Sequence, residues 1–147
     1  MKPEKGYSQL KIGRYSQVGF AYHLVMSTKG RQPVFSNFSH ARSVIRIMKT
    51  DEDLGFTKTL SFVVMPDHIH WLVKLDKGTI SQAAQRIKSL FTKYSGLDIW
   101  NVGFYDHAIR TNEALIDVAR YIVANPLRAG IAESISDYPH WDSVWLG

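Results

Sequence analysis

Hydrophobic positions along the chain switch between two periods. Residues 19–28 (GFAYHLVMST) are aromatic and β-branched and predict a strand, and residues 29–33 predict a turn. Within residues 39–49, Ala41, Val44, Ile45 and Met48 recur at helical spacing, with Asn37 or Ser39 placed to cap. Residues 56–65 (FTKTLSFVVM) and 68–75 (HIHWLVKL) predict two strands. Met65, Pro66 and Asp67 lie at their junction, and so short a turn implies an antiparallel hairpin. Residues 79–94 predict the clearest helix, with Ala83, Ile87, Leu90, Phe91 and Tyr94 on one face and Gly96 as its stop. Residues 102–110 predict a fourth strand. Asn112 is a candidate cap for a last helix with Leu115, Val118, Ala119 and Ile122 inward, which Pro126 should end or distort. The aromatic tail, residues 138–145, should pack back on the core.

The order strand, helix, strand, strand, helix, strand, helix implies an α+β, ferredoxin-like sandwich. Its antiparallel sheet has four strands, with room for a fifth, and two helices on one face. The last helix is an addition that can lie across the open face. At 147 residues the expectation is one domain over residues 1–147, with residues 1–18 as a basic arm. The absence of cysteine excludes a disulfide framework, a cysteine zinc site and a thiol nucleophile. No apolar run is long enough for a membrane span and no apolar leader opens the chain, so a cytoplasmic protein without membrane contact is expected.

Charge sharpens the picture through its distribution. The first 50 residues hold nine Lys/Arg against one acidic residue, Glu4, whereas the remainder is net acidic. Such asymmetry suits a polyanion partner and equally a solvated basic surface. Lys2, Lys5, Lys11 and Arg14, interleaved with Tyr7 and Tyr15, are candidate nucleic-acid contacts, and Arg86, Lys88 and Lys93 on the long helix are a second set.

Two histidines carry the first chemical signal. His68 and His70 are two apart in a predicted strand, so both imidazoles leave one face. They make half of a divalent-metal site, or two ordinary surface histidines. Tyr121 and Asn125 are four apart on the last helix, hence on one face. They offer a phenolate nucleophile and an amide oxygen for a metal, or a half-buried tyrosine and a helix-end asparagine. Asp106, His107 and Arg110 are candidates to touch phosphate or orient a metal ligand, or to form a structural hydrogen-bond cluster.

The blocks MPDHIHWLV (65–73), GFYDHAIR (103–110) and YIVANPLRAGI (121–131), with the opening YHLVMSTKGRQPVF (22–35), resemble the REP-associated tyrosine transposases. These are relatives of the single-tyrosine insertion-sequence transposases of the His-hydrophobe-His class, and more distantly of relaxases and rolling-circle initiators. The resemblance runs from about residue 19 to the tail, with four blocks in order. It implies that His68 and His70 bind Mg2+ or Mn2+ and that Tyr121 is the nucleophile. Asn125 stands where many relatives carry a glutamine that completes the metal site. Asparagine is one methylene shorter, so direct ligation, a water-bridged contact and a structural role remain three readings. The implied function is a metal-dependent single-stranded DNA endonuclease and strand transferase. It would cut near hairpins through a 5′-phosphotyrosine, in the cytoplasm at the nucleoid, as a monomer or a homodimer.

Two other classes stay open. A non-catalytic nucleic-acid-binding ferredoxin-like module would not need the Tyr121 hydroxyl. A metal-dependent phosphodiesterase attacking with water would form no covalent adduct.

Overall fold

The computed structural model describes residues 18–145. Lys2, Lys5, Lys11 and Arg14, and with them nearly all of the expected basic arm, lie outside that range. The elements are β1 (Ala21–Ser27), α1 (Phe38–Asp53), β2 (Thr57–Met65), β3 (His68–Leu75), α2 (Ile80–Ser95), β4 (Tyr105–Ile109), α3 (Asn112–Val123), the single turn α4 (Asn125–Arg128) and β5 (Trp141–Ser143). The strands form one antiparallel sheet in the order β4-β1-β3-β2-β5. This is the expected ferredoxin-like α+β arrangement, with the fifth strand supplied by the tail.

Strand alternation sorts the side chains into two layers. One face of the sheet presents Tyr22, Leu24, Met26, Phe62, Val64, Ile69, Trp71, Val73 and Leu75 to α1 and α2. Burying each large apolar side chain of this core contributes roughly 1.5–3 kcal/mol. Phe35, Phe91 and Trp100 close one end, with ring centroids 5.5, 5.8 and 5.9 Å apart. The opposite face carries Val63, Met65, Leu72 and Ile109, covered by Ala119 and Ile122 of α3. A helix thus lies across the face that a bare ferredoxin-like sandwich leaves open.

Local chemistry explains most boundaries. The hairpin closes with Met65 opposite His68, leaving Pro66 and Asp67 as the turn. Asn37 caps α1 by accepting from the His40 N–H at 3.0 Å. Thr79 and Gln82 form a reciprocal capping box at the start of α2, and Gly96 ends it at φ 74, a conformation that favours glycine.

Several expectations shift. The first helix continues past Lys49 to Asp53, because no breaker precedes Gly55 and the Asp51 carboxylate is buried against partners from other elements. Thr111, not Asn112, caps α3, its side chain accepting from the Ala114 N–H at 3.1 Å. The fourth strand begins at Tyr105 rather than at residue 102, with Gly103 in a left-handed turn at φ 81. Tyr94, expected on the core face of α2, is 67% exposed, because it lies in the last turn beyond Phe91, the last buried residue of the helix.

Candidate active site

Sheet register assembles the site. Adjacent rows across β1 and β3 pair Ser27 with His68, Val25 with His70 and His23 with Leu72. On the other side of β1, Val25 pairs with Tyr105 and His23 with His107. Since Leu72 belongs to the layer under α3, His68, His70, His23, Tyr105 and His107 share that layer's face. The ring centroids of His68 and His70 are 4.9 Å apart, and those of His23 and His70 are 5.1 Å apart. The two histidines expected to act together do share a face, and β1 adds a third.

Burial sets the protonation of the inner pair. The pKa of His70 is pushed down to about 3, first by desolvation and then by His23, His68 and Arg128. That of His23 is pushed down to about 4, first by desolvation and then by His107. Both rings are therefore neutral near pH 7. They share one hydrogen bond, His23 Nε2 to His70 Nδ1 at 2.9 Å.

The outer histidine is fixed differently. His68 Nδ1 lies 2.7 Å from Asp67 Oδ1. A carboxylate oxygen accepts, so Nδ1 carries a proton toward Asp67 and Nε2 is the ring nitrogen left to face the site. The other Asp67 oxygen, Oδ2, receives Arg31 Nε at 3.1 Å. Arg31 holds this position from a left-handed backbone, φ 55, the one non-glycine positive φ among the described residues.

His68 and His70 offer two imidazole donors on one face, but among the described residues no group of three or more His, Cys, Asp or Glu side chains is placed to hold a metal ion. A carboxylate behind a histidine is how metal-binding imidazoles are commonly oriented. For His70 to ligate through Nε2, its Nδ1–H must donate to His23 Nε2, an arrangement the 2.9 Å contact accommodates. The Asn125 side-chain nitrogen is buried without a hydrogen-bond partner.

Tyr121 stands over these rings. It lies in the last full turn of α3 and is 51% exposed. Its ring meets those of His70 and His23 edge-on, with centroids 6.2 and 6.4 Å apart. α3 ends at Val123. Asn125 and Pro126 open α4, so the chain turns within one residue of the expected break. Arg128 then returns to the tyrosine, with its guanidinium carbon 3.8 Å from the ring centroid.

The remaining candidates divide between the two faces of the sheet. His107 is exposed on the histidine face. Asp106 is buried and pairs with Leu24, which places it on the opposite face, under α1 and α2. It therefore does not join the histidine cluster. Arg110 is exposed just beyond β4. The α2 set lies on the face of the sheet away from the histidines. Arg86 is committed to buried Asp51, with Nε to Oδ1 at 2.6 Å and Nη2 to Oδ2 at 3.2 Å, and it stacks on Phe56. Lys88 donates to the carbonyls of Asn101 and Gly103, and burial lowers its pKa. Lys93 alone of the three stays exposed, beside Tyr94.

Sequence reasoning misses His23, Asp67, Arg31 and Arg128. His23 sits at an alternating position in a strand that the sequence does predict, but its neighbour depends on strand order. Asp67 reads from sequence only as a turn residue, although its adjacency to His68 is a usable signal.

A family model described as Transposase IS200 like matches residues 16–125. The chain belongs to the IS200-like transposase family. Among its relatives, a REP-associated tyrosine transposase of Escherichia coli (strain K12) is 29% identical over 129 residues, 86% of this chain and 78% of its own. A putative REP-associated tyrosine transposase of Haemophilus influenzae (strain ATCC 51907 / DSM 11121 / KW20 / Rd) is 29% identical over 100 residues, 56% of this chain and 57% of its own. The solved structure of a REP-associated tyrosine transposase bound to a REP hairpin superposes with a TM-score of 0.76 at 26% identity, covering 96% of this chain and 82% of that one. A putative transposase from Deinococcus radiodurans R1 shares the fold, with a TM-score of 0.53 at 20% identity, covering 83% of this chain and 95% of that one. The resemblance to REP-associated tyrosine transposases thus extends from motifs to fold, and membership of a transposase family makes DNA the substrate class. Among the described residues no helix is long and apolar enough to cross a membrane.

Proposed function

We propose that this IS200-like transposase cuts and rejoins single-stranded DNA beside hairpins, with Tyr121 as the nucleophile. The observation that carries this reading is the ring of Tyr121, 6.2 Å from that of His70 and half exposed to an incoming strand. His68 and His70 would hold Mg2+ or Mn2+ through their Nε2 atoms, with Asn125 within the same helix-end region. Such a cation supplies Lewis-acid polarisation of the phosphodiester.

The chain's own groups do the rest. Once its proton has left, the Tyr121 oxygen attacks phosphorus in line. The bond from phosphorus to the 3′ oxygen breaks, and that oxygen takes up a proton and leaves as a 3′-hydroxyl. The 5′ phosphate remains on tyrosine as a diester. One phosphoester bond is exchanged for another, so a second 3′-hydroxyl can reverse the step without ATP. Neutral His23 and His70, kept so by burial, hold their orientation without adding charge under the tyrosine.

Hairpin recognition is supported by the relative solved on a REP hairpin, which is 26% identical to this chain. Such a substrate is met at the nucleoid, in the cytoplasm. The test is a denaturing gel of a labelled hairpin oligonucleotide incubated with the protein and Mn2+. A protein–DNA band that survives denaturant, disappears on proteolysis and maps to Tyr121 is expected. Product without adduct would instead favour attack by water, and no product would favour a binding module.

A further inference from the structure

We propose that Arg128 holds the Tyr121 ring over the histidine face and takes a non-bridging oxygen of the DNA phosphate presented there. This rests on the reading of Tyr121 as nucleophile and adds a residue to it.

Three independent observations converge. The guanidinium lies flat enough on the ring to bring its carbon 3.8 Å from the centroid. The same group donates from Nη2 to the backbone carbonyl of Tyr121 at 2.6 Å. One side chain thus grips both ends of the residue. The third observation is the absence of a countercharge: among the described residues no carboxylate lies within ion-pair distance of Arg128. A guanidinium has five N–H donors, and the Tyr121 carbonyl uses one. Arg128 is exposed, so the rest face solvent where a strand reaching Tyr121 must pass.

The local fold makes this geometry possible. Pro126 brings no N–H to continue the α3 ladder, but Ala124 keeps a helical backbone into α4, so Arg128, seven positions on, returns to the face that carries Tyr121. Arginine suits the task because a planar cation stacks and forks at once, whereas an ammonium does neither well.

The experiment compares the parent protein with R128K, R128M and Y121F on three readouts. These are single-turnover cleavage of a hairpin oligonucleotide with Mn2+, hairpin affinity, and the nuclear Overhauser effect between the Tyr121 and His70 rings in the DNA-free protein. R128M keeps the apolar stem, so the fold should persist. It should cleave about 100-fold more slowly, the scale for removing one preorganised donor. Its hairpin affinity should fall by less than its cleavage rate, by no more than about tenfold, since one phosphate contact among several is lost, and the Overhauser effect between the two rings should vanish. R128K should recover about tenfold of the R128M defect, since charge returns without the stack. Cleavage by R128M within about threefold of the parent, or an undiminished Overhauser effect, overturns the proposal. Undiminished cleavage by Y121F refutes the nucleophile assignment instead. In that case, or if the parent is inactive, the Overhauser effect in R128M decides the role of Arg128 by itself.

Discussion

His23 Nε2 lies 2.9 Å from His70 Nδ1, joining two residues that are 47 apart in sequence. The contact makes His23 a candidate to hold His70 in the tautomer whose Nε2 is free. His23→Phe keeps a ring of similar bulk but removes the acceptor. It should raise the Mn2+ concentration needed for half-maximal cleavage by about 10- to 100-fold, the usual effect of losing a partner behind a metal-binding histidine. A metal titration of cleavage rates checks this. An unchanged midpoint would reduce His23 to packing.

The same pair predicts acid sensitivity. His23 and His70 have folded pKa values of about 4 and about 3, below the ordinary 6.5. The unfolded chain therefore binds protons more readily than the folded one as pH falls through this range. Their contribution to stability is intact above about pH 6.5 and declines progressively toward pH 4. Because the rings share a hydrogen bond they should titrate as a coupled pair. Urea midpoints measured from pH 7.5 to 4 should fall, and a His23→Gln, His70→Gln double variant should show a shallower decline. Equal slopes in both proteins would place the acid lability elsewhere.

The ion pair between Asp51 and Arg86 gives a prediction about stability rather than catalysis. Asp51 is only 3% exposed and accepts from Arg86 at 2.6 and 3.2 Å and from Thr57 Oγ1 at 2.7 Å. Removing the cation leaves a buried carboxylate uncompensated. Arg86→Met should therefore destabilise the protein by about 3 kcal/mol, as judged by denaturant unfolding. Hairpin affinity at a temperature where the variant is folded should change by less than about twofold, since Arg86 is occupied on the far side of the sheet. A steep fall in affinity with unchanged stability would return Arg86 to the DNA-binding surface.

Arg86 also shows where sequence reading runs out. Its position on the polar face of α2 is legible, but its partner on α1 lies 35 residues away. Elements fixed by local chemistry are legible closely. The bounds of β3 follow from sequence because alternation and the Pro66-Asp67 turn coincide, and those of α2 because its cap and its glycine stop are both local. The common face of His68 and His70 follows from strand period alone. That Tyr121 stands over that face depends on how α3 crosses the sheet, and the role of His23 on β1 lying next to β3. Both are tertiary facts that hydrophobic period does not carry. Tyr94 fits the period of the α2 face, yet it lies beyond Phe91, the last buried residue of that helix, and is exposed.

The last prediction concerns strain beside the site. Arg31 sits at φ 55, where a side chain costs roughly 1–3 kcal/mol and glycine does not. Its Nε lies 3.1 Å from Asp67 Oδ2, and the other Asp67 oxygen lies 2.7 Å from His68 Nδ1. The Arg31 side chain is 62% exposed, so this ion pair adds little to stability. The relief of strain in Arg31→Gly should offset both the missing pair and the greater freedom of the unfolded chain. The variant's stability should therefore lie within about 1 kcal/mol of the parent or above it. Its Mn2+ requirement for cleavage should nevertheless rise by about tenfold, because Asp67 loses the group that steadies it behind His68. Arg31→Ala separates the two effects: it removes the same ion pair but keeps the strained backbone, and should be less stable than the glycine variant with a similar metal defect. Thermal unfolding and metal titration of the three proteins make the comparison. A glycine variant less stable than the alanine variant would show that Arg31 is not strained, and an unaltered metal requirement in both would show that Asp67 orients His68 unaided.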